Sequence, residues 1–243
     1  MREEVIVVKD LHKSFKGKKV LDGINISLHR NENLCIIGKS GSGKSVLLRS
    51  IIGLFEPDSG YINVFGKNLN DLEEDEVIAL RKKVGYLFQE GALYDSMNVE
   101  ENLAFPLKRQ AHPKSGKEIK EIVRQALNKV GLLSAINKMP QELSGGMKKR
   151  IALARTLILE PEIILYDEPT TGLDPVTSKE IIELILEMRA TNGISAIIVT
   201  HDMQCARYTA DRIVILNEGK MDVEGSFEEL KQSDKEWVKA FFE

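Results

Sequence analysis

The sequence predicts an α/β protein whose mainly parallel sheet is covered by helices on both faces. Three short apolar runs, at residues 34–37, 163–166 and 196–199, are typical of strands that are buried on both faces. A glycine-rich loop at residues 38–43 joins the first run to a segment with helical spacing, and an amphipathic helix around residues 181–188 separates the other two runs. Strands that alternate with helices favour parallel pairing, because each crossover has to carry a helix over the sheet.

The composition is that of an ordinary globular protein. The 243 residues are 42% hydrophobic and 29% charged, which excludes a disordered chain and a small disulfide-rich scaffold. The 34 Lys and Arg residues stand against 37 Asp and Glu residues, a net charge of −3, so we expect no nucleic-acid partner.

Cysteine use and hydropathy bear on the compartment. Cys35 and Cys205 lie in apolar surroundings, and we expect no secretory leader after Met1, so a reducing cytoplasm is the predicted location. The sequence contains no run of 18 apolar residues, so a membrane role would need separate membrane subunits.

Helix signals dominate residues 91–160. Ser115 and Glu118 form a capping-box pair at the start of an apolar stripe with helical spacing. A second helix is predicted from near Ser144 to Pro161. A helical insertion is therefore expected between two sheet-forming segments.

The two ends of the chain predict short strands and a tail. Residues 5–8 and 24–28 predict the first strands, and residues 213–216 predict a late one. The tail carries apolar residues with helical spacing, namely Trp237, Val238, Phe241 and Phe242. This stripe could contact a partner or pack against its own chain, and the sequence leaves both interpretations open.

The glycine loop matches the phosphate-loop pattern G-x-x-x-x-G-K-[ST]. The matching residues are Gly38, Lys39, Ser40, Gly41, Ser42, Gly43, Lys44 and Ser45. In this pattern backbone N–H groups and a helix N-terminus hold phosphates, Lys44 supplies a positive charge, and the Ser45 hydroxyl ligates Mg²⁺. The alternative is a plain glycine-rich turn, but the pattern arises by chance in only about 1% of chains of this length.

Two carboxylates follow the buried strand at residues 163–166. Asp167 and Glu168 are expected at the carboxyl edge of the sheet, where the phosphate loop also ends. Asp167 suits a Mg²⁺ shell, and Glu168 could activate the water that attacks a γ-phosphate. The alternative is a solvated strand end before the turn at Pro169.

A helix start with two glycines is the third motif. Ser144, Gly145 and Gly146 precede an Ala-rich helix, although a glycine costs about 1 kcal/mol relative to alanine inside a helix. A polyphosphate at the helix N-terminus would compensate for that cost, and Ser144 can in addition cap the helix.

With these motifs the chain resembles the ATP-binding subunits of ABC transporters over nearly its whole length. The resemblance implies a phosphate-loop NTPase core with an N-terminal antiparallel β-subdomain and an inserted helical subdomain. We therefore expect one domain over residues 1–243, with a core at 1–90 and 161–225, a helical subdomain at 91–160 and a tail at 226–243. ATP and Mg²⁺ are the implied cofactors.

The resemblance also assigns roles to single residues. Phe15 matches the aromatic residue that stacks on adenine, Gln89 the glutamine that contacts Mg²⁺ and the attacking water, and His201 the histidine that contacts the γ-phosphate. Taken alone, a Phe in a β-region is more often a core residue and a His at a strand end is ordinarily structural, while Gln89 has the alternative of a polar strand end. The implied catalytic set is Lys44, Gln89, Glu168 and His201, and the implied metal ligands are Ser45, Gln89 and Asp167.

In the family a nucleotide lies between two subunits, so Ser144, Gly145 and Gly146 would bind ATP held by a second copy of the chain. Transmembrane permease subunits are the other implied partners, with an accessory subunit as a further candidate. Residues 91–97 are the candidate lining for the permease contact, unless they fill the core of the chain. These roles imply a peripheral location on the cytoplasmic face of the inner membrane.

A narrower resemblance concerns cargo. Met147 stands where the family usually has glutamine, and with residues 88–94 and 165–169 it resembles lipid transporters of the Mla or Mce type. The alternatives are an ABC importer or exporter for another cargo, a soluble ABC ATPase that acts on ribosomes or DNA, and a module that only senses nucleotide. Asp174 matches an inter-subunit loop of the family, and it is equally suited to cap the helix that follows.

Overall fold

The computed structural model describes residues 3–110 and 114–242. In these ranges the strands are β1 (Glu4–Phe15), β2 (Lys18–His29), β3 (Asn33–Ile37), β4 (Ser59–Val64), β5 (Lys67–Asn68), β6 (Val84–Leu87), β7 (Ile163–Asp167), β8 (Ser195–Thr200), β9 (Arg212–Asn217) and β10 (Lys220–Gly225). The α-helices are α1 (Lys44–Ile51), α2 (Glu74–Lys83), α3 (Val99–Lys108), α4 (Gly116–Lys129), α5 (Gly145–Leu157), α6 (Pro175–Asn192), α7 (Met203–Thr209), α8 (Phe227–Lys231) and α9 (Glu236–Lys239).

The central sheet has six strands in the order β10-β9-β3-β8-β7-β6. Its pairs are parallel except for the antiparallel pair of β9 and β10 at one edge. Every residue of β3, β7 and β8 is buried, which explains why these strands are continuous apolar runs in the sequence. The predicted α/β fold with a mainly parallel sheet is therefore confirmed.

A second sheet has the order β2-β1-β4-β5, and all of its pairs are antiparallel. Its apolar face packs against α1 and one face of the central sheet, where Leu11, Leu47 and Val199 belong to the same buried cluster. The backbone N–H of Asp22 donates to Gly219 O at 2.8 Å and ties β2 to the turn before β10. This sheet corresponds to the antiparallel N-terminal part that the resemblance implied.

Helices α3, α4 and α5 follow one another between β6 and β7. Their buried residues form one cluster with α6 and the other face of the central sheet, so both faces of that sheet are covered. The capping box of Ser115 and Glu118 begins α4 as predicted. The prediction that α5 reaches Pro161 is wrong, because α5 ends at Leu157 and Glu160, the residue before the proline, has a left-handed φ of 53°.

Strands β4 and β5 and helices α2 and α7 are not predicted from the sequence. Helix α2 buries only Leu80, so it lacks the apolar periodicity by which helices are recognised. Helix α7 has seven residues, and its Asp202 cap is the only strong local signal at its start.

The C-terminal tail packs against its own chain. Val238 is fully buried in a cluster with Ile213 and Ile215 of β9, and the ring centroids of Phe227 and Phe242 lie 5.1 Å apart. The helix that the stripe predicted is shorter than expected, since α9 ends at Lys239 and a turn follows. Within the described residues, no helix has the length and hydropathy needed to cross a bilayer.

Candidate functional site

The phosphate loop is held between a buried strand and a helix. Gly38 follows β3 and is buried, whereas Lys39, Ser40 and Gly41 are exposed. Gly43 precedes α1 and has a φ of 105°, a backbone conformation that residues with a Cβ rarely adopt. The loop therefore brings its backbone to the surface at the N-terminus of α1, the end of a helix that attracts anions.

Lys44 lies at the centre of the loop. Its ammonium donates to Gly38 O at 2.8 Å and to Lys39 O at 3.3 Å, and it lies 3.3 Å from Glu168 Oε1. The side chain is only 6% exposed. A buried cation bound to the carbonyls of the loop is suited to bind a phosphate oxygen held by the same loop.

Ser42 supplies an independent indication of an anion. Its hydroxyl is buried and, among the described residues, has no hydrogen-bond partner. A buried hydroxyl without a partner costs free energy, so such groups commonly mark a place for a water or a ligand. Its position inside the phosphate loop fits a phosphate oxygen.

Ser45 and Asp167 meet at the carboxyl edge of the central sheet. Ser45 Oγ donates to Asp167 Oδ1 at 2.7 Å, and Tyr86 OH donates to Asp167 Oδ2 at 2.8 Å. Burial raises the pKa of Tyr86, and the adjacent Asp167 carboxylate raises it further, so the phenol stays a donor. A hydroxyl and a carboxylate at this distance are the hard oxygen donors that Mg²⁺ prefers, and these residues fit that ion.

Glu168 and His201 form a second close pair in the site. His201 Nδ1 lies 2.9 Å from Glu168 Oε2, and Thr171 Oγ1 donates to the same carboxylate oxygen at 3.0 Å. Glu168 is buried and has a left-handed φ of 52°, whereas the His201 side chain is 60% exposed. A non-glycine residue in this conformation costs about 1 kcal/mol or more, and such strain is concentrated at functional positions.

Two residues assigned by resemblance lie at the surface. Phe15 ends β1, is 39% exposed and packs edge-on against Phe55, with ring centroids 5.3 Å apart. Gln89 is exposed in the turn that follows β6. Both residues are therefore open to a ligand, and neither fills the core.

We define the tip of α5 as Ser144, Gly145 and Gly146. Unlike the charged residues at the sheet edge, these residues form a helix cap and a packing contact with α6. Ser144 caps the helix by accepting from Met147 N at 3.2 Å. A Cβ added at Gly146 would overlap Cγ2 of Thr177, so close packing against α6 explains this glycine without any ligand. Gly145 is exposed, and a Cβ added there would lie 3.9 Å from Leu173 Cδ2, an ordinary contact distance, so the packing does not require a glycine there.

The α5 tip is separate from the phosphate loop. Over residues 3–110 and 114–242, no hydrogen bond joins residues 144–146 to residues 38–45. Within one chain the two motifs therefore do not bond to each other.

The segments next to these motifs are held by the chain itself. Asp174 caps α6 by accepting from Val176 N and Thr177 N, both at 3.0 Å, which is one of the two roles left open for it. The Asn102 side chain donates to Met97 O at 2.9 Å, and Arg155 donates to Gly91 O at 3.1 Å.

The loop of residues 91–97 is therefore fixed at both ends from within the chain. It remains mixed in exposure, since Ala92 and Tyr94 are exposed while Leu93 packs against the core.

Three residues near the site were missed by sequence reasoning. Tyr86 donates to the Asp167 carboxylate, and Thr171 donates to the Glu168 carboxylate. Lys149 donates to the backbone carbonyl of Glu168. Only Thr171 had a local signal, because a hydroxyl three residues after a carboxylate can close a turn onto it. Tyr86 and Lys149 reach the site through tertiary packing.

A family model described as "ABC transporter" matches residues 21–171 of the chain. The chain belongs to the ABC transporter family. Structural comparison agrees, since the ATP-binding cassette MJ0796, solved as a post-hydrolysis dimer with ADP and Pi, matches with a TM-score of 0.85 at 32% identity. That match covers 91% of this chain and 98% of the solved one.

The curated relatives of this family member carry different names. The methionine import ATP-binding protein MetN of Carboxydothermus hydrogenoformans is 39% identical over 91% of this chain and 66% of its own length. The probable ribonucleotide transport ATP-binding protein mkl of Mycobacterium leprae is 40% identical, over 97% of this chain and 68% of its own.

The chloroplastic protein TRIGALACTOSYLDIACYLGLYCEROL 3 of Arabidopsis thaliana is 39% identical over 98% of this chain and 73% of its own length. The ABC chain thus spans about two thirds of the length of its first curated relatives.

Proposed function

We propose that this chain binds ATP with Mg²⁺, hydrolyses it, and drives transport through separate membrane subunits. The observation that carries the proposal is the convergence of Lys44, the Ser45–Asp167 pair and the Glu168–His201 pair on one edge of the sheet. In the proposed site Phe15 stacks on the adenine, and the loop from Gly38 to Ser45 holds the phosphates.

The proposed reaction transfers the γ-phosphoryl group of ATP to water. Bound Mg²⁺ neutralises charge on the phosphate oxygens, and Ser45, Asp167 and Gln89 are the residues that would hold it. Glu168 accepts the proton of the attacking water, while Lys44 and His201 stabilise the charge on the γ-phosphate oxygens. Because Lys44 is 3.3 Å from Glu168 Oε1, binding of a phosphate at Lys44 also frees that carboxylate oxygen for water.

A second copy of the chain completes the proposed site. The exposed amide of Gly145 at the N-terminus of α5 suits the γ-phosphate held by the other copy, and Ser144 lies beside it. ATP then closes a dimer and hydrolysis opens it again, which converts the reaction into a motion.

We propose lipids, in particular phospholipids, as the cargo and the cytoplasmic face of the inner membrane as the location. Support comes from Met147 at the α5 start and from the resemblance of residues 88–94 and 165–169 to Mla-type and Mce-type transporters. One of the relatives is named after trigalactosyldiacylglycerol, itself a glycerolipid. Permease subunits would contact residues 91–97 next to Gln89, and an accessory subunit is a further candidate partner.

Replacement of the proposed base tests the reaction. Glu168→Gln should retain ATP binding, lower hydrolysis by about 10²-fold to 10⁴-fold, and accumulate an ATP-bound dimer. The measurements are phosphate release and size-exclusion chromatography with ATP and Mg²⁺. Glu183→Gln is the matched control, because Glu183 is an exposed carboxylate on α6 with a side chain 63% accessible. Normal turnover by Glu168→Gln would remove Glu168 from this role.

Recovery of the native assembly tests the cargo. The chain is purified from its membrane fraction, and copurified proteins and lipids are identified by mass spectrometry. Membrane subunits together with phospholipid enriched over a mock purification are the expected result. Recovery of ribosomes or DNA, or of membrane subunits that bind methionine or nucleotides instead of lipid, would contradict the lipid assignment.

A further inference from the structure

Lys149 is a buried lysine whose bonds all go to backbone carbonyls. Its ammonium donates to Glu168 O at 3.0 Å and to Thr171 O at 2.6 Å, and the residue is only 5% exposed. No carboxylate lies within 4 Å of the ammonium in the part of the chain that is described. Burial lowers the pKa of Lys149 to about 8, which reflects the cost of placing an ammonium there. A position this costly is a poor source of stability, so another role is needed to account for it.

The two carbonyls that Lys149 binds bracket the turn that carries Glu168. The N–H of Thr171 donates to Glu168 O at 3.4 Å, and the Thr171 hydroxyl donates to Glu168 Oε2 at 3.0 Å. Glu168 itself has a left-handed φ of 52°, so its side chain is directed by a strained backbone that neighbours have to hold. Lys149 therefore controls the backbone on which the carboxylate depends, although it does not touch the carboxylate oxygens.

The same lysine belongs to the helix whose tip carries the other part of the proposed site. Lys149 follows Ser144 by five residues, about 7.5 Å along α5. The helix is rigid over this length, and Gly146 is packed directly against Thr177. The close-packed contacts of α5 and the Lys149 bonds thus connect the tip to the carbonyls of Glu168 and Thr171.

We propose that Lys149 is a positioning residue that couples anion binding at the α5 tip to the orientation of the Glu168 carboxylate in the same chain. The inference rests on the proposed function, because it assumes that the tip binds the nucleotide of a second copy and that Glu168 is the base. A nucleotide held by one copy then orients Glu168 of the other copy, so that the two sites of the dimer hydrolyse ATP together.

The test replaces Lys149 by methionine, an unbranched side chain only one heavy atom shorter, which removes the donors. Lys149→Met should lower kcat for ATP hydrolysis by about 10-fold to 100-fold, the scale of a misplacement of about 1 Å, with KM and single-chain ATP affinity changed less than twofold. Lys149→Arg, which restores N–H donors, should recover part of the loss in kcat. Lys120→Met is the control, because Lys120 is an exposed lysine on α4 and should leave all three quantities unchanged.

A double-mutant cycle tests the coupling itself. Ser144→Ala and Lys149→Met should reduce kcat less in combination than the product of their separate effects, because both interrupt one path. Independent, multiplicative losses would overturn the coupling, and so would a kcat of Lys149→Met within twofold of the unmodified chain. An equal loss of ATP affinity would make Lys149 a binding residue and would also overturn it.

Two controls keep the outcome interpretable. If Lys149→Met does not fold, as judged by its thermal melt, Lys149→Gln takes its place, with an expected loss of about 3-fold because its amide group retains N–H donors. The unmodified chain is assayed first. Absence of ATP turnover there would refute the proposed function, whereas normal turnover with an unaffected Lys149→Met variant would refute only the positioning role.

Discussion

The carboxyl edge of the central sheet and the α5 tip carry the two parts of the proposed nucleotide site, and they differ in how far one chain completes them. At the sheet edge Lys44, Asp167 and Glu168 are buried and bonded to one another or to adjacent groups. At the tip Ser144 and Gly145 are exposed, and the first amides of a helix have no acceptor within the helix.

The difference shows that the groups of the sheet edge are satisfied within one chain, whereas the exposed groups of the tip are open to a partner. Charges at the sheet edge are costly to bury, so the fold has to satisfy them whether or not a ligand is present. The tip carries no charge at its exposed amides, and solvent satisfies them until an anion arrives. Perturbing the tip should therefore affect the dimer, whereas perturbing the edge should already affect one chain.

Beyond the replacement of Glu168 described above, the largest expected effect comes from the tip. Ser144→Arg should lower ATP hydrolysis by about 100-fold or more, because the long side chain occupies the space of the nucleotide held by the second copy. The affinity of the isolated chain for a fluorescent ATP analogue, measured below the dimerisation concentration, should stay within twofold. An equal loss of that affinity would show that the tip belongs to the nucleotide site of its own chain.

Lys44→Ala should act on one chain alone. Loss of the charge-assisted bonds to phosphate, worth about 1.5–3 kcal/mol, should weaken ATP binding by about 10-fold to 100-fold. The same equilibrium titration measures it, with Lys120→Ala as the matched exposed control. If binding is unchanged, the buried ammonium serves Glu168 and the loop carbonyls only.

Alanine variants of the two tip glycines should differ in stability, because only Gly146 is required by the packing against α6. Gly146→Ala should lower the free energy of unfolding by about 1–3 kcal/mol, because its methyl group overlaps Thr177. Gly145→Ala should leave it unchanged or raise it by up to about 1 kcal/mol, since alanine favours the helix and its methyl group would meet Leu173 Cδ2 at an ordinary contact distance of 3.9 Å. Urea denaturation of both variants measures the difference, and equal stabilities would contradict this assignment.

The smallest effect is expected at the opposite edge of the sheet, where Glu32 precedes β3. Burial raises the pKa of Glu32, but hydrogen bonds from Arg212 and His29 outweigh it, and the net pKa lies below the usual 4.5. The carboxylate therefore stabilises the fold above pH 4.5, and this contribution is lost as the pH falls through the lowered pKa.

Glu32→Gln should accordingly cost about 1–2 kcal/mol at pH 7, and the difference from the unmodified chain should shrink below pH 4.5. Denaturation curves at several pH values measure the change. The rate of ATP hydrolysis at pH 7 should not change, because Glu32 lies away from the proposed site. A difference in stability that grows as the pH falls would contradict the sign.

Prediction from sequence succeeded where the signal is local. The runs that became β3, β7 and β8 are short, apolar and buried on both faces, and the capping box at Ser115 sets the start of α4. It failed for α2, whose single buried residue leaves no periodicity, and for the end of α5, where the backbone turns at Glu160 before the proline.

The sequence by itself determined the phosphate loop, the two carboxylates at the end of β7 and the serine-capped start of α5, because each is a contiguous segment whose chemistry needs only its neighbours in the chain. Only the tertiary structure decided that Tyr86 bonds to Asp167, that Gly146 is required by Thr177, and that Lys149 holds the carbonyls around Glu168. These contacts join residues from different strands and helices, and their distances are set by how those elements pack against each other. The spacing of residues along the chain does not reveal that packing.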